Sequence, residues 1–77
     1  MTVSEKVIKI ITDELRLQDG VVQPALLLKD DLDMQSLDSI ELLMALEDAF
    51  KIEFKNYEHK TIETVQDVID AVNKLVK

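Results

Sequence analysis

The sequence predicts an all-α chain, an antiparallel bundle of three main helices and one short one. Three observations lead there. Its 77 residues contain one Gly and one Pro, too few turn formers for an all-β fold. Apolar residues make up 47%, a globular fraction, and recur at helical spacing in three stretches. There is no Cys, so a core this small depends on efficient helix packing rather than on disulfides. The length suits one domain over 1–77 with one core, and little room for a large buried active site.

The first helix is expected from about Ser4 to Leu17. Val3, Val7, Ile10, Ile11 and Leu15 form its apolar stripe, and Ser4 is a capping residue type. Gly20 and Pro24 then mark a long connection from Gln18 to Gln35. Loops of that length are usually functional or disordered. Val21, Val22, Leu26, Leu27, Leu28 and Leu32 predict that this one packs on the domain. The second helix is expected from Ser36 to Lys51. Ser36, Asp38 and Ser39 are capping types, and Asp38-x-x-Glu41 has capping-box spacing. Acidic residues ahead of it suit the positive end of the helix dipole. Asn56 to Thr61 is polar and suits a single helical turn. The last helix is expected from Val65 to Val76, capped by Thr64 with Asp67 three residues on.

The second helix carries two apolar faces. With Leu42 at zero and about 100° per residue, Leu42, Ala45, Leu46, Ala49 and Phe50 lie together as the core stripe. Leu37, Ile40 and Met44 fall at about 160–220°, the opposite side, among Glu41, Glu47, Asp48 and Lys51. Either the long loop or the short helix covers this second stripe, or it is an exposed docking strip with acids to steer a partner.

Charge favours a docking role. The net charge is −7, and Asp30, Asp31, Asp33, Asp38, Glu41, Glu47 and Asp48 account for all of it. Nine acidic and nine basic residues elsewhere cancel. A negative chain lacks the basic footprint of a nucleic-acid binder. Its N-terminus has no leader pattern and no apolar run approaches the length of a membrane span, so a cytoplasmic protein without membrane insertion is expected.

Conventional catalysis finds little support. The single His, His59, sits in a polar stretch and reads as a solvated surface residue. Read as an EF-hand from Asp31, the acidic cluster puts Ser36 and Leu42 where Gly and Glu are required. Read from Asp33, it puts Asp38 and Met44 there, so no metal site is assigned. Ser36 and Ser39 stand at a helix start, where a hydroxyl either caps the helix or is exposed for covalent modification. Spacing leaves both readings open.

The run Asp31-Leu32-Asp33-Met34-Gln35-Ser36-Leu37-Asp38-Ser39-Ile40-Glu41-Leu42-Leu43-Met44-Ala45-Leu46-Glu47-Asp48-Ala49-Phe50 strongly resembles the acyl carrier protein signature. Val7-Ile8-Lys9-Ile10-Ile11 and Thr64-Val65-Gln66-Asp67-Val68-Ile69-Asp70 extend the resemblance along nearly the whole chain. The resemblance implies a four-helix bundle without catalysis of its own. It places a 4′-phosphopantetheine arm, donated by coenzyme A, on Ser36, and leaves Ser39 as a capping or surface residue. The arm's thiol would carry acyl groups as thioesters, and the apolar interior between the helices would shelter them. Leu37, Ile40 and Met44 become apolar docking residues, and Asp38, Glu41, Glu47 and Asp48 electrostatic ones. The implied partners are a phosphopantetheinyl transferase and acyl-transferring or condensing enzymes with basic docking surfaces, met by a monomer. Fatty-acid, polyketide or related biosynthesis is the implied setting. The competing reading is an acidic helical interaction module with no prosthetic group.

Two positions depart from the family pattern. Gln35 replaces the Asp before the serine, and Asp33 replaces the usual Gly. Gln35 implies altered recognition by the transferase and a specialised carrier. Asp33 implies lost backbone freedom ahead of the helix. Lys55 to Lys60 also lacks the family's usual Pro and acidic run.

Overall fold

Thr2, not Ser4, opens the first helix. In the computed structural model, which describes residues 2–54 and 62–76, α1 spans Val3–Glu14. Thr2 Oγ1 accepts from Glu5 N at 3.1 Å, and Glu5 Oε1 accepts from Thr2 N at 2.9 Å. That reciprocal pair satisfies donors at the helix start, which Ser4, already inside the first turn, could not do. The helix ends before Leu17 because Arg16 turns left-handed at φ 57. Leu17 N then bonds Thr12 O at 2.9 Å.

α2 spans Ser36–Phe50, and Lys51 ends it in the left-handed conformation at φ 58. Its N-cap is Gln35, so none of Ser36, Asp38 and Ser39 is the capping residue. Asp38 closes the box with Gln35 rather than with Glu41: its Oδ2 accepts from Gln35 N at 3.0 Å. α3 spans Val65–Leu75, capped by Thr64 as the sequence implies, with Asp67 N donating to Thr64 Oγ1 at 3.1 Å. The predicted short helix at Asn56–Thr61, the Lys55–Lys60 stretch and His59 lie outside the described residues.

α1 packs against both α2 and α3. One core cluster collects Val7 and Ile11 from α1, Leu42, Leu43 and Leu46 from α2, and Val65, Val68, Ile69, Ala71 and Val72 from α3. The connection from Gln18 to Gln35 adds Val22, Leu28 and Leu32 to it, while Val21 and Leu27 stay exposed. Backbone bonds explain why the connection lies down: Leu28 N donates to Glu63 O, Val65 N to Leu26 O and Gln66 N to Pro24 O, all between 2.9 and 3.0 Å. Leu27 and Thr64 form an antiparallel bridge. The loop is therefore pinned to the start of α3, a pairing no local pattern announces.

The α3 cap has a pH signature. Asp67 Oδ2 accepts from Thr64 N at 3.0 Å and from Glu63 N at 2.9 Å. Those bonds, Thr64's first, hold its carboxyl below the ordinary value of 3.8. The Thr2 backbone bond does the same for Glu5 in α1. A carboxyl depressed in the folded state adds stability above its unfolded pKa, and that stability disappears as pH falls through the folded one. The melting temperature should therefore hold steady from neutrality to about pH 4.5 and fall below it. Asp67→Ala should lower it by a few degrees at pH 7 and lose less on acidification. Parallel curves for the variant and the parent would refute the assignment.

Candidate functional site

The connection delivers the chain to α2 through a tight corner. Asp33 is left-handed at φ 56, and Gln35 is extended at φ −90 and ψ 167. Met34 N donates to Leu28 O at 2.9 Å, which fastens the corner to the buried part of the loop. Asp31 also serves the loop, since its Oδ2 accepts from Leu27 N at 2.7 Å. Asp33's position shows why glycine suits it: only a residue tolerant of positive φ can stand there.

Ser36 is the first residue of α2 and is exposed. Its hydroxyl makes no hydrogen bond among the described residues, so it is not consumed in capping. Ser39 differs. It is half-buried, and its Oγ donates to Ser36 O at 2.7 Å. The two hydroxyls that spacing left equivalent are thus separated by structure.

Ser36 also borders a cavity of about 300 Å³. Leu27, Leu28, Met34, Leu42, Leu43, Ile62 and Val68 give it an apolar lining, with Lys29, Asp30, Gln35, Ser39 and Glu63 as its polar residues. That volume lies at the lower end for small-molecule sites. Sequence reasoning missed Leu43 and Ile62 here. Leu43 is one step, about 100°, from Leu42 and belonged to neither face of the helical wheel.

The second face of α2 is open. Leu37 is 66% exposed, Ile40 52% and Met44 61%. Glu41 and Asp48 are exposed beside them, and Asp38 is half-buried while bonding Gln35 N. Glu47, like Asp38, serves the backbone. It is half-buried, and its Oε2 accepts from Phe54 N at 2.8 Å, which ties α2 to the buried Phe54.

Residues 5–72 match the family described as the phosphopantetheine attachment site. An acyl carrier protein from Thermosynechococcus vestitus is 43% identical over 72 residues, covering 94% of this chain and 89% of that protein. The chain belongs to the acyl carrier protein family. Among solved structures, an acyl carrier protein from Mycobacterium tuberculosis superposes with a TM-score of 0.89 at 32% identity, covering 95% of this chain and 97% of that one. One from Thermotoga maritima gives 0.78 at 30% identity, covering 92% and 82%. The chain is accordingly a non-catalytic carrier whose prosthetic group is 4′-phosphopantetheine. Membership implies work with a phosphopantetheinyl transferase and with biosynthetic enzymes. Among the described residues, no helix is long and apolar enough to cross a membrane.

Proposed function

We propose that Ser36 is the attachment point and that this carrier delivers acyl intermediates from it. One observation carries the reading: a hydroxyl without a hydrogen bond among the described residues, exposed at the start of α2, adjoins an apolar cavity. The surroundings fit the group. Backbone N–H groups at the α2 start and the positive end of its dipole favour a phosphodiester on Ser36 Oγ. Once attached, the arm supplies a thiol on which acyl groups travel as thioesters. Leu42, Leu43, Ile62 and Val68 would then shelter the acyl chain from water.

The test is intact mass. Incubation with coenzyme A and a promiscuous phosphopantetheinyl transferase should add one phosphopantetheine to the chain. A chain that stays at its starting mass would favour an acidic interaction module.

Docking belongs to the open face of α2. Leu37, Ile40 and Met44 supply apolar contact area, and Asp38, Glu41 and Asp48 attract Arg and Lys on partner enzymes. Glu47 joins them at the edge while its Oε2 holds Phe54 N. Glu41→Lys should slow loading several-fold at low salt and leave the melting temperature within about 2 °C of the parent. The slowing should shrink as salt rises. A rate indifferent to both changes would remove steering from the account. The chain acts as a cytoplasmic monomer and a single domain over 1–77. Gln35 and Asp33 mark it as a specialised carrier in fatty-acid, polyketide or related lipid synthesis.

A further inference from the structure

Gln35 holds the corner ahead of Ser36 from three sides. Its Nε2 donates to both Asp33 O and Asp33 Oδ1, each at 3.2 Å. Its backbone N–H donates to Asp38 Oδ2 at 3.0 Å. Its carbonyl accepts from Ser39 N at 3.0 Å. The residue it grips, Asp33, is the one that pays a conformational cost, because left-handed φ disfavours any side chain with a Cβ. An unrestrained Asp33 would relax toward the ordinary regions of backbone space. The direction in which the chain enters α2 would then vary, and Ser36, one residue past Gln35, would vary with it.

We propose that Gln35 and Asp33 form a clamp that positions Ser36 for modification, an inference resting on Ser36 as the attachment residue. The Gln35 amide is suited to the task. One NH₂ group offers two donors, and Asp33 presents a carbonyl and a carboxylate oxygen to receive them. Bonds to a charged acceptor are the stronger kind. The clamp lies on the surface and buries nothing, so it acts on orientation and adds little to global stability.

The experiment compares the parent, Gln35→Ala, Asp33→Gly and the double variant as substrates of a purified phosphopantetheinyl transferase with coenzyme A. kcat and KM are measured separately. Gln35→Ala should lose about two- to tenfold in kcat, the worth of the hydrogen bonds removed, with KM within about twofold and melting unchanged. The double variant should recover part of the loss, because glycine enters the left-handed corner without the Cβ penalty that the clamp offsets in Asp33. The intraresidue amide-to-α-proton NOE of residue 33, which is strong at positive φ because the two protons lie closer there, should weaken in Gln35→Ala, whether or not any transferase acts. An unaltered NOE, an unaltered kcat, or a double variant no better than Gln35→Ala would each overturn the clamp. A parent chain that gains no phosphopantetheine, or loading that survives Ser36→Ala, would instead overturn Ser36 as the attachment residue, so the parent and that variant tell the two failures apart.

Discussion

Ser36→Ala is expected to abolish phosphopantetheine loading and leave the fold intact. The loss should be complete because the neighbouring hydroxyl is no substitute. Ser39 lies one helical turn on, but it is half-buried and its Oγ is committed to Ser36 O at 2.7 Å. Ser39→Ala should therefore load normally. Stability should hardly move in Ser36→Ala. The serine hydroxyl bonds nothing among the described residues, the N-cap is Gln35, and alanine is the better helix former. A change within about 0.5 kcal/mol is expected. Intact mass reads the first half of this prediction and thermal melting the second. Loading that survives Ser36→Ala but vanishes in Ser39→Ala would reassign the attachment point.

Leu46→Ala should do the opposite, unfolding the chain easily while leaving the site chemistry untouched. Leu46 is 0% exposed and sits in the cluster that joins all three helices. Removing its branched end loses transfer free energy and leaves a void that a packed core fills only in part. The cost should be about 3 kcal/mol. For a domain this small that lowers the melting temperature by roughly 10–25 °C, a large share of a total stability of order 5–10 kcal/mol. Met44 provides the control. It is on the same helix, two residues away and 61% exposed, so Met44→Ala should stay within about 0.5 kcal/mol. Chemical denaturation of both variants measures the contrast, and equal losses would mean that the two faces of α2 are not divided as described.

That division was largely legible in the sequence. Placing Leu42 and Leu46 on one side and Leu37, Ile40 and Met44 on the other needs only the helical repeat, and burial follows it. The rival reading in which the long loop covers the second stripe is met by exposures above half at all three residues, and the short-helix stretch lies outside the described residues. Thr64 with Asp67 was equally legible, since a cap and its partner are three residues apart and act without help from the rest of the fold. Thr2 and Ser4 show the limit of such local reading. Both are capping types, and Glu5 decides between them by pairing with Thr2.

Contacts that depend on where the chain turns back were not legible. Glu47 lies among acids on the helical wheel, and only the return of the chain at Phe54 reveals its backbone partner. The loop's apolar residues predicted packing, but its bonding to Glu63, Val65 and Gln66 depends on where α3 arrives. The cavity beside Ser36 is also tertiary, assembled from the loop, α2, α3 and Ile62.

By itself, the sequence determined the three helices, the acidic segment, the family and Ser36 as its expected attachment residue. Helical periodicity and capping are local, charge is additive, and a family motif is read residue by residue. The folded structure decided which hydroxyl at the head of α2 is exposed, which acids are tied to backbone amides, and where an apolar cavity opens. The cavity depends on groups brought together from far apart in the chain, and the other two on backbone conformation over three to seven residues; spacing along the sequence contains neither.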